Sequence, residues 1–146
     1  MAYSDRELLA RLIQCEAGGE GDNGMRAVAS VIMNRVNAAG GEYARVGQGN
    51  VRNIIFQPGQ FVCASTTERG RPNAQNIYNM NPEQIHYDIA DWAIAGNRLP
   101  TLGQALWFFN PFSPACRQKF PNENGYLIDR IGNHCFYNPM DGYYQK

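Results

Sequence analysis

The sequence predicts an α+β fold: one helix-dominated domain with a small β-sheet towards its C-terminus. Three observations lead there. Three segments with helical periodicity and recognisable caps fill the first two thirds of the chain. Short aromatic runs with strand character follow Pro100. The length, 146 residues, suits a single domain with a real core. Apolar residues at 44% and charged residues at 18% belong to a folded globular chain and not a disordered one. Neither repeats nor a linker divide it, so residues 1–146 are read as one domain.

The first helix is the best punctuated. Ser4 and Glu7 have the S-x-x-E spacing of a capping box, Leu8, Leu9, Leu12 and Ile13 recur at helical spacing, and Gly18-Gly19 stops the run. A second helix is expected from about Asp22 or Asn23, with Met25, Val28, Ala29, Ile32 and Val36 as its buried stripe and Gly40-Gly41 as its end. A short helical piece covers Asn50 to Ile55, and Gln57-Pro58-Gly59-Gln60 reads as a turn. Cys63 to Met80, rich in Ser, Thr, Arg, Gly, Asn and Pro, reads as a long surface loop. A third helix is expected with Asn81 as N-cap, Pro82 at its first position and Gln84 in the capping box, ending at Gly96-Asn97. Ala105 to Phe109 and Ile131 to Tyr137 are the two candidate strands, with loop from Pro111 to Gly125 between them.

Composition narrows the function. Thirteen residues of each charge give a net charge of zero, which removes the usual electrostatic argument for nucleic acid or an anionic membrane surface. A groove can still be locally basic towards an anionic polymer. The longest apolar stretch, Ala27 to Met33, is interrupted by Ser30 and falls far short of the roughly 20 residues of a membrane span. The first residues lack a basic region followed by an apolar run, so synthesis without a signal peptide is expected. Cys15, Cys63, Cys116 and Cys135 form no C-x-x-C pair, the two histidines and scattered acids make no metal motif, and Asp22, Asp88, Asp91 and Asp129 lack EF-hand spacing. No metal or cofactor is therefore expected. The cysteines permit three pairings, among them a bridge between Cys116 and Cys135; the alternative is four buried thiols in a reducing compartment.

Chemistry concentrates at Glu16. It follows Leu12 by four residues and Leu8 by eight, which sets a carboxyl on the apolar face of the first helix. Such a group must be protonated, paired or placed in a cleft. Desolvation raises a carboxyl pKa, as a general acid near neutral pH requires. The competing reading is a buried Glu that caps a loop or pairs with Arg26 or Arg35. Glu20 invites a two-carboxylate glycosidase reading, yet two acids four residues apart on one helix point the same way and cannot flank a sugar. Glu20 is expected to hold a loop or a neighbouring helix. With one working carboxylate, the C6 hydroxyl of muramic acid can attack its own anomeric carbon, the reaction of a lytic transglycosylase. A thiol hydrolase built on Cys15 with His86 or His134 is disfavoured, because Cys15 sits at the C-terminal end of its helix, where the dipole opposes a thiolate.

Leu9-Ala10-Arg11-Leu12-Ile13-Gln14-Cys15-Glu16-Ala17-Gly18-Gly19-Glu20 resembles the signature L-A-R-L-I-x-A-E-A-x-G-E of the spore cortex-lytic cell wall hydrolases, the SleB and CwlJ group. Met33-Asn34-Arg35-Val36, Ile55-Phe56-Gln57-Pro58-Gly59-Gln60-Phe61, Trp107-Phe108-Phe109-Asn110-Pro111 and Ile131-Gly132-Asn133-His134-Cys135-Phe136-Tyr137 resemble its further motifs in order, covering Glu7 to Pro139. The short architecture and the region of Cys116 and His134 to Tyr137 are most similar to the CwlJ-type enzymes. Phe56 stands where the family often has Tyr, and Cys15 where Ala is common.

The resemblance implies a lysozyme-like or lytic-transglycosylase-like fold with Glu16 as catalytic acid in a cleft. It implies a sugar groove to which Glu20, Gln57, Gln60, Phe61, Trp107, Phe108, Asn110 and His134 contribute. Its substrate would be cortex peptidoglycan during germination, its place the cortex–coat boundary of the spore, with a coat protein as partner and calcium dipicolinate as stimulus. Hydrolysis by a muramidase or glucosaminidase with the same acid is the rival chemistry. A silent wall-binding or coat protein on the same fold is the rival class.

Overall fold

The computed structural model describes residues 2–145. Five helices occupy the first two thirds of the chain: α1 (Asp5–Ala17), α2 (Gly21–Val36), α3 (Gly41–Gly47), α4 (Val51–Ile55) and α5 (Gln84–Ile94). A two-stranded hairpin, β1 (Thr67–Glu68) with β2 (Arg71–Pro72), precedes α5. β3 (Trp107–Phe109), β4 (Gly125–Ile131) and β5 (His134–Pro139) form an antiparallel sheet in the order β3-β5-β4. None of these helices is long and apolar enough to cross a membrane.

α1, α2 and α5 pack on one another, and α4 closes against the first two. Leu8, Leu9, Leu12 and Ile13 of α1 are fully buried against Val28, Val31 and Ile32 of α2 and Ile89 and Ala93 of α5. Each such side chain contributes roughly 1.5–3 kcal/mol of apolar burial. Half of the expected capping box forms at the start of α1: Ser4 accepts from the Glu7 N–H at 3.1 Å. The Glu7 carboxylate turns elsewhere, accepting from Arg11 at 2.7 Å and from the Tyr87 hydroxyl of α5 at 2.9 Å. Arg11 also donates to the carbonyls of Ile77 and Met80, which ties the loop before α5 to α1.

Several boundaries differ from those expected. Gly40-Gly41 does not end the second helix. That helix stops at Val36, and Gly41, at φ 76°, opens α3. The N-cap of α5 is Glu83, not Asn81. The Asn81 backbone makes two bonds to the Gln14 side chain, and the box at the helix start is closed by Glu83 and His86. Residues 63–80, read as loop, contain the β1–β2 hairpin and a buried turn at Ile77. The segment Ile131 to Tyr137 is not one strand but the tip of a hairpin, turning at Gly132-Asn133.

In register, Trp107 faces Tyr137 and Phe109 faces Cys135, while Gly125 faces Pro139 and Ile131 faces His134. Gly125 must be glycine, since a Cβ there would lie 2.3 Å from the Phe120 carbonyl oxygen and 2.8 Å from the Trp107 ring. Both cysteine pairs are oxidised: Cys15 to Cys63 and Cys116 to Cys135. The reading of four buried thiols is thereby corrected. Cys15, standing where Ala is common in the family, anchors the segment that follows Phe61.

Candidate active site

Glu16 lies one residue before the end of α1, in line with Leu8 and Leu12, where the helix's buried face runs out into a cleft. The helical lobe supplies one wall of that cleft and β3 with β5 the other. The part that holds Glu16, called the inner part for that reason, measures about 240 Å³ and is lined by Glu16, Arg35, Gln60, Phe61, Val62, Phe108, Phe109, Asn110 and His134. An outer part of about 420 Å³ shares Arg35, Gln60 and Phe108 and extends past Glu42, Tyr43, Trp107 and Tyr143. Six of the residues singled out in the sequence therefore meet in the inner part: Glu16, Gln60, Phe61, Phe108, Asn110 and His134.

Burial pushes the Glu16 carboxyl up to about 7, against a weaker opposing pull from the Arg35 guanidinium. Arg35, 5% exposed, comes from the buried face of α2. Its Nε donates to the Leu106 carbonyl at 2.7 Å, and the guanidinium sits 4.6 Å from the Tyr43 ring centre and 5.2 Å from that of Phe61. Arg26, the other partner considered for Glu16, is paired with Asp22 at 2.6 Å. Among the residues lining the inner part, Glu16 is the one carboxyl. It is thus a protonatable group held in a largely desolvated setting, the condition for a general acid near neutral pH.

The remaining expected residues fall into place around this group. Trp107 is 5% exposed, packed edge-on against Tyr143 with ring centres 5.0 Å apart, and borders the outer part. Phe108, its neighbour on the opposite face of β3, borders both parts. The Gln60 side chain accepts from the Tyr43 hydroxyl at 3.2 Å. Gln57 is not among the lining residues; its amide donates to Glu42 at 3.1 Å. Glu20 is also off the wall. Its carboxylate accepts from the Asn133 N–H at 3.1 Å and the Asn133 side chain at 3.3 Å, and lies 2.7 Å from His134 Nδ1. With its side chain 14% exposed, Glu20 clasps the β4–β5 turn from 113 residues away in sequence.

The disulfides frame the same cleft. Cys15 precedes Glu16 and joins Cys63, two residues beyond Phe61; Cys135 follows His134 and joins Cys116. Cys15, held in a bridge, offers no thiolate, which removes the thiol hydrolase. Sequence reasoning considered Arg35 as a partner for Glu16 and as part of a family motif, not as a cleft residue, and passed over Tyr43. The signal was there for Arg35: three residues after Ile32 and seven after Val28, it interrupts an apolar stripe with a charge.

Comparison with known proteins adds the relatives. Residues 19–137 match the family model described as Cell Wall Hydrolase. The cell wall hydrolase CwlJ of Halalkalibacterium halodurans is 32% identical over 136 residues, spanning 92% of this chain and 85% of that protein. The spore cortex-lytic enzyme of Bacillus subtilis is 29% identical over 133 residues, 91% of this chain but 37% of that longer protein. Among solved structures, the catalytic domain of the germination-specific lytic transglycosylase SleB from Bacillus anthracis matches with a TM-score of 0.67 at 29% identity, covering 94% of this chain and 98% of the domain. The SleB catalytic domain of Bacillus cereus matches with the same TM-score at 30% identity, covering 94% and 93%.

Proposed function

The chain belongs to the cell wall hydrolase family, and from that premise we propose that it cleaves peptidoglycan glycan strands as a lytic transglycosylase with Glu16 as catalytic acid. One observation carries the assignment: a single carboxyl with its pKa pushed up to about 7 lines the inner cleft. Protonated Glu16 donates to the glycosidic oxygen as its bond to the anomeric carbon of muramic acid breaks. The C6 hydroxyl of the same sugar then closes on that carbon, releasing its proton. One bond breaks, one forms, and no water is consumed. A second carboxylate as nucleophile, the requirement of a retaining glycosidase, has no counterpart on the inner wall.

Phe108 offers an aromatic face for a sugar, while Gln60 and Asn110 offer amides for its hydroxyl and acetamido groups. The substrate is taken to be spore cortex peptidoglycan, degraded at germination, because the longer relatives carry the name spore cortex-lytic enzyme. The cortex–coat boundary is the corresponding site of action, and a coat protein the corresponding partner. Two disulfides suit a compartment outside the reducing cytosol.

The test is digestion of purified cortex by the wild type and by Glu16→Gln. Soluble fragments are expected from the wild type alone, with glycan binding retained by the variant. Equal release by both proteins contradicts the role of Glu16. Binding without release by either favours a wall-binding protein.

A further inference from the structure

We infer that Phe112 is a sugar-stacking residue outside the cleft, which holds the glycan strand beyond the part that contains Glu16. The inference rests on the glycan-cleaving reading, which supplies a polymer longer than the cleft as the occupant.

Phe112 is 89% exposed, the most exposed of the large apolar side chains among the described residues; Val62 follows at 53%. One exposed apolar side chain is ordinary at a protein surface. Backbone and place distinguish this one. Its φ is 51°, a region that a bulky aromatic residue seldom enters. The other described non-glycine residues with positive φ are Gln48, Arg69 and Asn122, all polar. The Phe112 N–H donates to Asn110 Oδ1 at 2.8 Å, and Asn110 lines the same part of the cleft as Glu16. Phe112 itself lines neither part. Its backbone is thus tied to a wall residue while its ring stands in solvent.

The loop that carries the ring is stiff. Pro111 and Pro114 each fix a φ angle on either side of it. Ser113 Oγ accepts from the Ala115 N–H at 3.2 Å. Cys116 ends the loop in its bridge to Cys135, the residue after the cleft-lining His134. An aromatic side chain has two torsions to lose, so on such a loop little freedom is lost when a ligand covers it.

The size of the patch selects the occupant. Ser113, Pro114 and Ala115 beside the ring are exposed, and none adds a large apolar side chain. A stable protein interface covers about 800 Å² on each partner, whereas one aromatic side chain supplies about 150–250 Å². That area suits a single sugar ring, whose C–H face lies on an aromatic face while its hydroxyls stay in water. Val62 follows Phe61 on the helical side and lines the part that holds Glu16. A strand lying there has exposed apolar side chains on both sides: Val62 from the helical wall and Phe112 from the loop after β3.

Phe112→Ala in the full chain is the test. The ring packs little against the protein, so the melting temperature should stay near that of the wild type. On cortex glycan, kcat/KM for long strands relative to fragments of a few sugars is expected to fall about fivefold. The fall should lie in KM, with kcat at saturation little changed. Phe112→Trp should restore the preference, and Phe112→Leu, apolar without a flat face, should not. In the Glu16→Gln background, Phe112→Ala should weaken binding of long strands by a similar factor. A Phe112→Ala enzyme with the wild-type preference for long strands overturns the inference, as does full preference in Phe112→Leu. A loss confined to intact cortex, with isolated strands cleaved as by the wild type, overturns it too and makes the ring a contact for a protein. A wild type that neither binds nor cleaves glycan strands overturns the underlying reading instead.

Discussion

At Glu16 burial and a neighbouring charge act in opposite directions, and burial wins: the carboxyl is held up to about 7 although a guanidinium stands in the same cleft. An acid catalyst must be protonated, so kcat/KM is expected to fall as pH rises through about 7 in a pH–rate profile. Arg35→Met removes the one influence lowering this value, so the alkaline limb moves to higher pH, whereas Arg35→Lys, which keeps the charge, leaves it nearly in place. The same shift makes a stability statement. The unfolded chain loses the Glu16 proton near 4.5 and the folded chain near 7, so folding favours the protonated form and stability is lost across that interval as pH rises. The loss is about 3 kcal/mol when complete. Glu16→Gln should therefore unfold at higher denaturant than the wild type above neutrality, with the difference shrinking to near zero below the ordinary carboxyl range. A variant no more stable at alkaline pH would show that Glu16 is not desolvated. The position of Glu16 is legible in the sequence because Leu8 and Leu12 define its face. The bond from Glu20 to His134 is not, since 114 residues separate them and no local pattern encodes the contact.

Among the elements, those that carry their own punctuation are the ones the sequence displays. Ser4 and Gly18 bracket α1, and Asn50 caps α4 by accepting from Asn53 at 3.1 Å. α3 is hidden because Gly40-Gly41 reads as a stop, while in the fold Gly41 supplies the positive φ that starts a seven-residue helix. β4 is hidden because a register shift between Leu127 and Asp129 breaks the alternation by which a half-exposed strand is recognised. The Cys15–Cys63 bridge closes a sequence separation of 48 residues and pins the end of α1 to the segment after Phe61. By the chain-entropy relation such a link is worth up to about 4 kcal/mol. Cys15→Ala with Cys63→Ala should lower unfolding free energy by about 2–4 kcal/mol in denaturant titration. It should also lower cleavage by more than the unfolded fraction explains, since Glu16 and Phe61 lose their shared anchor. Full activity in the double variant would reduce the bridge to a staple with no part in the site.

For the molecule as a whole, the proposed active cleft lies where a helical lobe meets a small sheet, and neither alone contains the residues of the proposed chemistry. Glu16 and Arg35 come from the helices, while Phe108, Asn110 and His134 come from β3, its following loop and β5. Helix content and the aromatic strands made the fold class readable, but the seam between them is set by packing across residues far apart in sequence. The family relationship and the TM-score of 0.67 to a lytic transglycosylase domain agree with that architecture. What separates a transglycosylase from a hydrolase on this scaffold is whether water enters the product. Cortex digested by the wild type in heavy-oxygen water, with Glu16→Gln as control, therefore tests the central claim directly. The account predicts anhydro-muramic ends that carry no label and no products from the variant. Reducing ends labelled with heavy oxygen would contradict it and make the enzyme a hydrolase.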